Sequence, residues 1–273
     1  GSSKVFLEIK KPGGKEQLIY DVASGKLTNL TQHFEKPPEK FFWSKTSDDV
    51  FYIVNDTNLT AVNLLSGQKT LLLSGSSEYF VRGNKIFSIV ETDGKLTLNE
   101  SDIMNPLDGS AILYEMAHGS YAFEDAGFPY LMLKRDGREL LLFDTSAPFA
   151  EPILQEEANG FSWYASDQGE KKLLYFKDFE IWIFYPKSKY KDLITRFASQ
   201  INNASWHRNG EYVFFDFGGQ IKVVELDSRE KRNIFDLVND ADIADFAVDY
   251  ASENLFFIGI WQNISGLHYL PLI

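Results

Sequence analysis

The sequence predicts an all-β protein. The fold expected is a seven-bladed β-propeller of four-stranded antiparallel blades, with the first inner strand and the last outer strand missing or irregular. Three observations carry this expectation. Short apolar or alternating runs separated by turn residues fill the 273 residues, and almost no stretch keeps helical spacing for three turns. A strand-and-turn signature returns about every 41 residues. A tryptophan recurs in the same phase.

The second strand of each blade is the most apolar and reads first. It falls at Val5–Ile9, Val50–Val54, Lys85–Val90, Tyr130–Lys134, Leu173–Phe176, Tyr212–Phe215 and Leu255–Ile260, which makes seven units. Innermost strands precede all but the first: Phe41–Trp43, Glu78–Val81, Gly119–Glu124, Phe161–Trp163, Asn203–Trp206 and Ala244–Val248. Outermost strands follow all but the last. Asp-Gly pairs at 93–94, 108–109 and 136–137, with Asn209-Gly210, mark tight turns, because these residues tolerate positive φ. The segment Phe235–Ala247 is ambiguous in period and reads as loop plus strand, with room for one helical turn.

The repeat is measured on the strand that ends just before a turn. Asp21 and Asn63 are 42 residues apart, Asn63 and Asp144 are 81 apart, Asp144 and Tyr185 are 41 apart, and Tyr185 and Leu226 are 41 apart. The gap of 81 is two periods, with one unit around Leu96–Asp102 between. Such a period fits a propeller blade of roughly 40–45 residues. Trp43 and Trp163 are 120 residues apart and Trp163 and Trp206 are 43 apart. Each tryptophan closes an inner strand before a polar turn, so packing between blades is their expected role. A sugar-stacking platform is the sharper alternative. A six-bladed ring with one distorted unit is the alternative to seven.

The stretches Asp21-Val-Ala-Ser-Gly-Lys-Leu-Thr-Asn-Leu-Thr31 and Trp206-His-Arg-Asn-Gly-Glu211 resemble the Tol-type, WD-like bacterial propeller repeat. The resemblance covers most of the chain and degenerates around residues 76–160. The Gly-His and Trp-Asp dipeptides of true WD repeats are absent. The motif is structural, so the resemblance implies a fold and no catalytic residue. It also implies an extracytoplasmic, cell-envelope setting with an anchor upstream. Gly1-Ser2-Ser3 reads as a tag remnant, leaving residues 4–273 as a single propeller domain. A segment upstream of residue 4 is expected to supply both missing strands, since open edges invite pairing with other chains.

Composition narrows the function. Lys plus Arg is 27 and Asp plus Glu is 39, a net charge of −12. That balance disfavours nucleic acid and anionic membrane surfaces, which need basic patches. No cysteine is present, which excludes disulfides, thiolate metal sites and Cys nucleophiles. No apolar run reaches the roughly 18 residues of a membrane-spanning helix.

Propellers bind ligands in a funnel of outer-to-inner and second-to-third strand loops. The candidate binding residues on those loops are His33, Glu35, His118, Arg135, Glu156, Gln200, Asp240 and Asp242. His33 with His118 admits a metal or general-base site, against the plainer reading of two solvated histidines. Asp240, Asp242 and Asp245 resemble a calcium loop but lack the Gly and terminal Glu of an EF-hand, and a solvated turn is the plainer reading. The acidic pairs Asp48-Asp49 and Glu156-Glu157 are surface charge unless two carboxyls flank a sugar. No nucleophile-elbow, phosphate-loop or zincin motif occurs. The expectation is a non-catalytic binding or scaffold propeller for a protein segment or a glycan, with no cofactor and no metal. The alternatives are a hydrolase or lyase acting on a sugar or lactone, and the gating propeller of a peptidase.

Overall fold

A computed structural model describes residues 4–12, 14–30, 34, 37–44, 47, 49–146, 151–227, 229, 231–249 and 251–272. Among them there are twenty-six β-strands and no helix. The strands form seven antiparallel sheets in chain order, the blades of a seven-bladed β-propeller. Seven separate sheets set aside the six-unit alternative.

Blade one holds β1 (Lys4–Lys11), β2 (Gly14–Asp21) and β3 (Lys26–Asn29). Blade two holds β4 (Lys40–Trp43), β5 (Val50–Asn55), β6 (Asn58–Asn63) and β7 (Lys69–Ser74). Blade three holds β8 (Ser76–Arg82), β9 (Lys85–Thr92), β10 (Lys95–Asp102) and β11 (Ala111–Met116). Blade four holds β12 (Tyr121–Glu124), β13 (Tyr130–Arg135), β14 (Glu139–Asp144) and β15 (Leu154–Glu157). Blade five holds β16 (Gly160–Ala165), β17 (Lys171–Lys177), β18 (Glu180–Tyr185) and β19 (Tyr190–Arg196). Blade six holds β20 (Ile201–Trp206), β21 (Tyr212–Phe217), β22 (Gln220–Glu225) and β23 (Ile234–Val238). Blade seven holds β24 (Ala241–Val248), β25 (Asn254–Trp261) and β26 (Ile264–Pro271).

The first and last sheets are three-stranded among the described residues, and the other five are four-stranded. The short strand pairs follow from turn chemistry. Asp93-Gly94 and Asp136-Gly137 both adopt positive φ at both positions, the geometry a two-residue hairpin demands. The ambiguous segment near Phe235 contains no helical turn. It forms the end of one blade and the start of the next, with Asp240 at φ 53° reversing the chain between β23 and β24.

The chain divides into two compact units, Gly1–Phe123 with Pro148–Glu151, and Glu124–Ala147 with Pro152–Ile273. In the first unit Phe6, Phe41 and Phe51 stack around Ile19, Leu30 and Val62, and Tyr79 and Ile86 pack with Tyr52 and Leu59. In the second, β17 and β21 are apolar on both faces because a sheet lies against each. Val213 and Phe215 of β21 meet Leu174 and Phe176, while Phe214 meets Phe246, Leu255 and Phe257. Fully burying one such phenylalanine contributes roughly 1.5–3 kcal/mol.

Seven bulges interrupt the ladders of the described residues. Four lie between a third and an outermost strand, and each leaves one surplus aliphatic residue in the outer strand: Leu72, Leu113, Ile194 and Leu237. Three lie between an innermost and a second strand, with Ser77, Asn202 and Ala244 as the surplus residues. An extra residue breaks the two-residue alternation and re-aims the side chains beside it.

Candidate functional site

An open cleft of about 800 Å³ lies in the second unit. Its walls are the turns that join inner to second strands in blades five, six and seven. Each turn is a short polar reversal closed by its own backbone. Gly169 N donates to Ser166 O at 2.9 Å, Gly210 N to His207 O at 2.9 Å and Ser252 N to Asp249 O at 2.9 Å.

Side chains tie the three turns together. The Trp206 indole, nearly buried, donates to Ser162 O at 3.1 Å, locking blade six to blade five. Tyr164 Oη donates to Asn209 O at 3.0 Å. Arg208 N donates to Ser252 Oγ at 2.8 Å, linking blade six to blade seven. Gly210 sits at φ +68° directly against the Tyr164 ring, and a Cβ there would come within 2.4 Å of it. Only glycine satisfies both the dihedral and the contact.

The floor is aromatic. Trp163 stacks on Tyr130 with centroids 6.0 Å apart and planes 8° apart, and Tyr164 lies 5.3 Å from Trp206. The rim is polar: Ser166, Asp167, Gln168, Glu170, Asn209 and Asp249. Asp249 is a turn clamp. The bond from the Asn254 amide outweighs burial, and with the N–H groups of Glu253, Asn254 and Ser252 it holds the carboxyl below its ordinary value. His207 Nδ1 lies 2.7 Å from Asn209 Oδ1 within its own turn.

The tryptophans at 163 and 206 therefore do pack between blades, as their phase predicts, and they also line the cleft. None of the eight funnel-loop residues lines it. His33 and Glu35 lie outside the described residues. His118 is exposed on the bend between β11 and β12. Arg135 ends β13 and pairs with Glu139. Glu156 accepts from Lys177 at 2.6 Å and Lys191 at 2.7 Å. Burial pushes its carboxyl up, but the two lysines outweigh burial and hold it below the ordinary value. Gln200 is exposed just before β20, Asp240 is exposed at its reversal and Asp242 is exposed on β24.

Those last three residues gather at the far end of blades six and seven. There a Cβ on Gly218 would touch the Ser199 side chain at 3.6 Å, and Ala241 N donates to Gly219 O at 3.1 Å. Sequence reasoning missed the residue that stands out at this end. Asp216 is 2% exposed, and its Oδ1 has no hydrogen-bond partner among the described residues. The signal was a single charge inside the apolar run Val213-Phe-Phe-Asp-Phe217, on a strand covered on both faces. Among the described residues no three His, Cys, Asp or Glu side chains are grouped to hold a metal. No helix of the described residues is long and apolar enough to cross a membrane.

No family model matches the chain. No curated protein matches it. Solved structures do. An oligogalacturonate lyase in complex with manganese shares 12% identity at a TM-score of 0.54, over 100% of this chain and 86% of that one. An oligogalacturonate lyase from Vibrio parahaemolyticus shares 12% identity at 0.51, over 99% of this chain and 87% of that one. TolB from Acinetobacter baumannii shares 12% identity at 0.45, over 87% of this chain and 65% of that one. At these identities the likeness is one of fold.

Proposed function

We propose that this protein is a non-catalytic recognition module, and that the cleft over blades five to seven takes a neutral oligosaccharide. The observation that carries this reading is the composition of the cleft: an aromatic floor of Trp163, Tyr164 and Trp206 under a rim of hydroxyl, amide and carboxylate groups. Sugars present apolar ring faces and a fringe of hydroxyls, and such a site answers both. Charge selects among sugars. Asp167, Glu170 and Asp249 line the cleft with Arg208 as its one guanidinium, so an acidic oligosaccharide is repelled. The two lyases' likeness is therefore not extended to a uronate substrate here. Asp249 and His207, two of the groups that could serve as acid or base, are both committed to holding their turns.

The setting that suits such a module is extracytoplasmic, in keeping with its Tol-like repeat pattern. Titration of the purified protein with neutral oligosaccharides, followed by tryptophan fluorescence and calorimetry, tests the reading. Binding should appear with neutral sugars, and Trp163→Phe should weaken it about tenfold, equivalent to ~1.4 kcal/mol. Saturable binding of an extended peptide in place of sugars, or sugar binding untouched by Trp163→Phe, would refute it.

A further inference from the structure

We propose that the end of blades six and seven opposite the cleft binds a hard divalent cation of the calcium class, held between Asp216 and Asp245. Asp216 Oδ2 accepts from Asn202 Nδ2 at 3.1 Å, and Oδ1 is left without a partner. Asp245 Oδ1 accepts from Asn203 Nδ2 at 2.9 Å and from Phe246 N at 2.8 Å, while Oδ2 makes no hydrogen bond among the described residues. Each carboxylate thus has one oxygen fixed by an asparagine amide and one oxygen open.

The β20 bulge builds this arrangement. Asn202 is the surplus residue between Ile201 and Asn203. In a regular strand adjacent side chains point to opposite faces. The bulge lets Asn202 and Asn203 serve two neighbouring carboxylates. Asp245 itself follows the matching bulge in β24, after Ala244. Glycines let the backbones close in around the pair. Gly219 has φ +80°, and a Cβ on it would come within 2.3 Å of Ala241 O; a Cβ on Gly259 would come within 2.0 Å of Asp242 O.

Neither carboxylate has a cationic partner among the ion pairs of the described residues. A buried carboxylate without one is costly, and paired or metal-bound charges are the rule inside proteins. A cation reverses that penalty and uses both open oxygens. All the donors are hard oxygens, which select calcium-like ions over zinc or copper. Asp245 is exposed, and water completes the shell as calcium sites allow.

The test is thermal unfolding of the whole protein after chelation, with calcium chloride added back and calorimetric titration of calcium in parallel. Calcium should raise the melting temperature by roughly 2–4 °C or more, with saturable heat. Asp216→Asn and Asp245→Asn should each fold and each lose the calcium response. An unchanged melting temperature for the wild type overturns the proposal. A calcium response that survives both substitutions also overturns it, by placing the ion elsewhere.

Discussion

Replacing Gly210 with alanine probes the joint between blades five and six. Two costs arise in the folded state. Alanine at φ +68° pays the left-handed penalty of about 1–2 kcal/mol. The new methyl also overlaps the Tyr164 ring, with three ring atoms between 2.4 and 2.8 Å from the Cβ. The ring must swing away, and the bond from Tyr164 Oη to Asn209 O goes with it, a further ~0.5–1.5 kcal/mol. The sum is about 1.5–3.5 kcal/mol, or a fall in melting temperature on the order of 3–14 °C for a chain of this size. Urea unfolding of Gly210→Ala alone and in a Tyr164→Ala background separates the two costs. Without the ring only the dihedral penalty remains, so the coupling should be about 0.5–1.5 kcal/mol. Equal costs in both backgrounds would show that Tyr164 does not rest on Gly210.

Two pH-dependent outcomes follow from the carboxylates. With calcium chelated, Asp216→Asn should stabilise the protein at pH 7, because asparagine removes a buried carboxyl whose ionised form burial and the Asp245 charge disfavour. Its folded value lies above its unfolded one, so wild-type stability from this group grows as the pH falls through the raised value and the gain from asparagine shrinks. A wild-type protein more stable than Asp216→Asn at pH 7 in chelator refutes this. Glu156→Gln acts in the opposite sense. It should cost about 1 kcal/mol at pH 7 by weakening the bonds from Lys177 and Lys191. That cost is present above the ordinary value of 4.5 and is lost as the pH falls through the lower folded value. A gap between the denaturation midpoints that does not narrow as the pH is lowered from 7 would contradict it.

The blades were legible because their signals are local. A turn pair such as Asp136-Gly137 specifies its own geometry, and an apolar run such as Leu173–Phe176 needs only its neighbours to be read as a strand. Trp163 and Trp206 stood out for the same reason: repetition in phase is visible in one dimension. The cleft was not, because Ser166, Asn209 and Asp249 come from three turns about 40 residues apart and look alike as solvated reversals. Asp216 was hidden differently. Its neighbours say that the strand is buried, but only the bulge at Asn202 shows that an amide was brought to meet it. A one-residue slip in strand pairing leaves no mark in composition or period.

The surplus aliphatic residues at the rims of four blades have a further effect. Leu72, Leu113, Ile194 and Leu237 each turn inward and shift the ladder by one position. A strand arriving at such a rim would meet amides out of step over part of its length, which discourages lateral growth. Each rim is bevelled, as the margin of a tile is, and repetition therefore adds whole tiles to the row without widening any one of them.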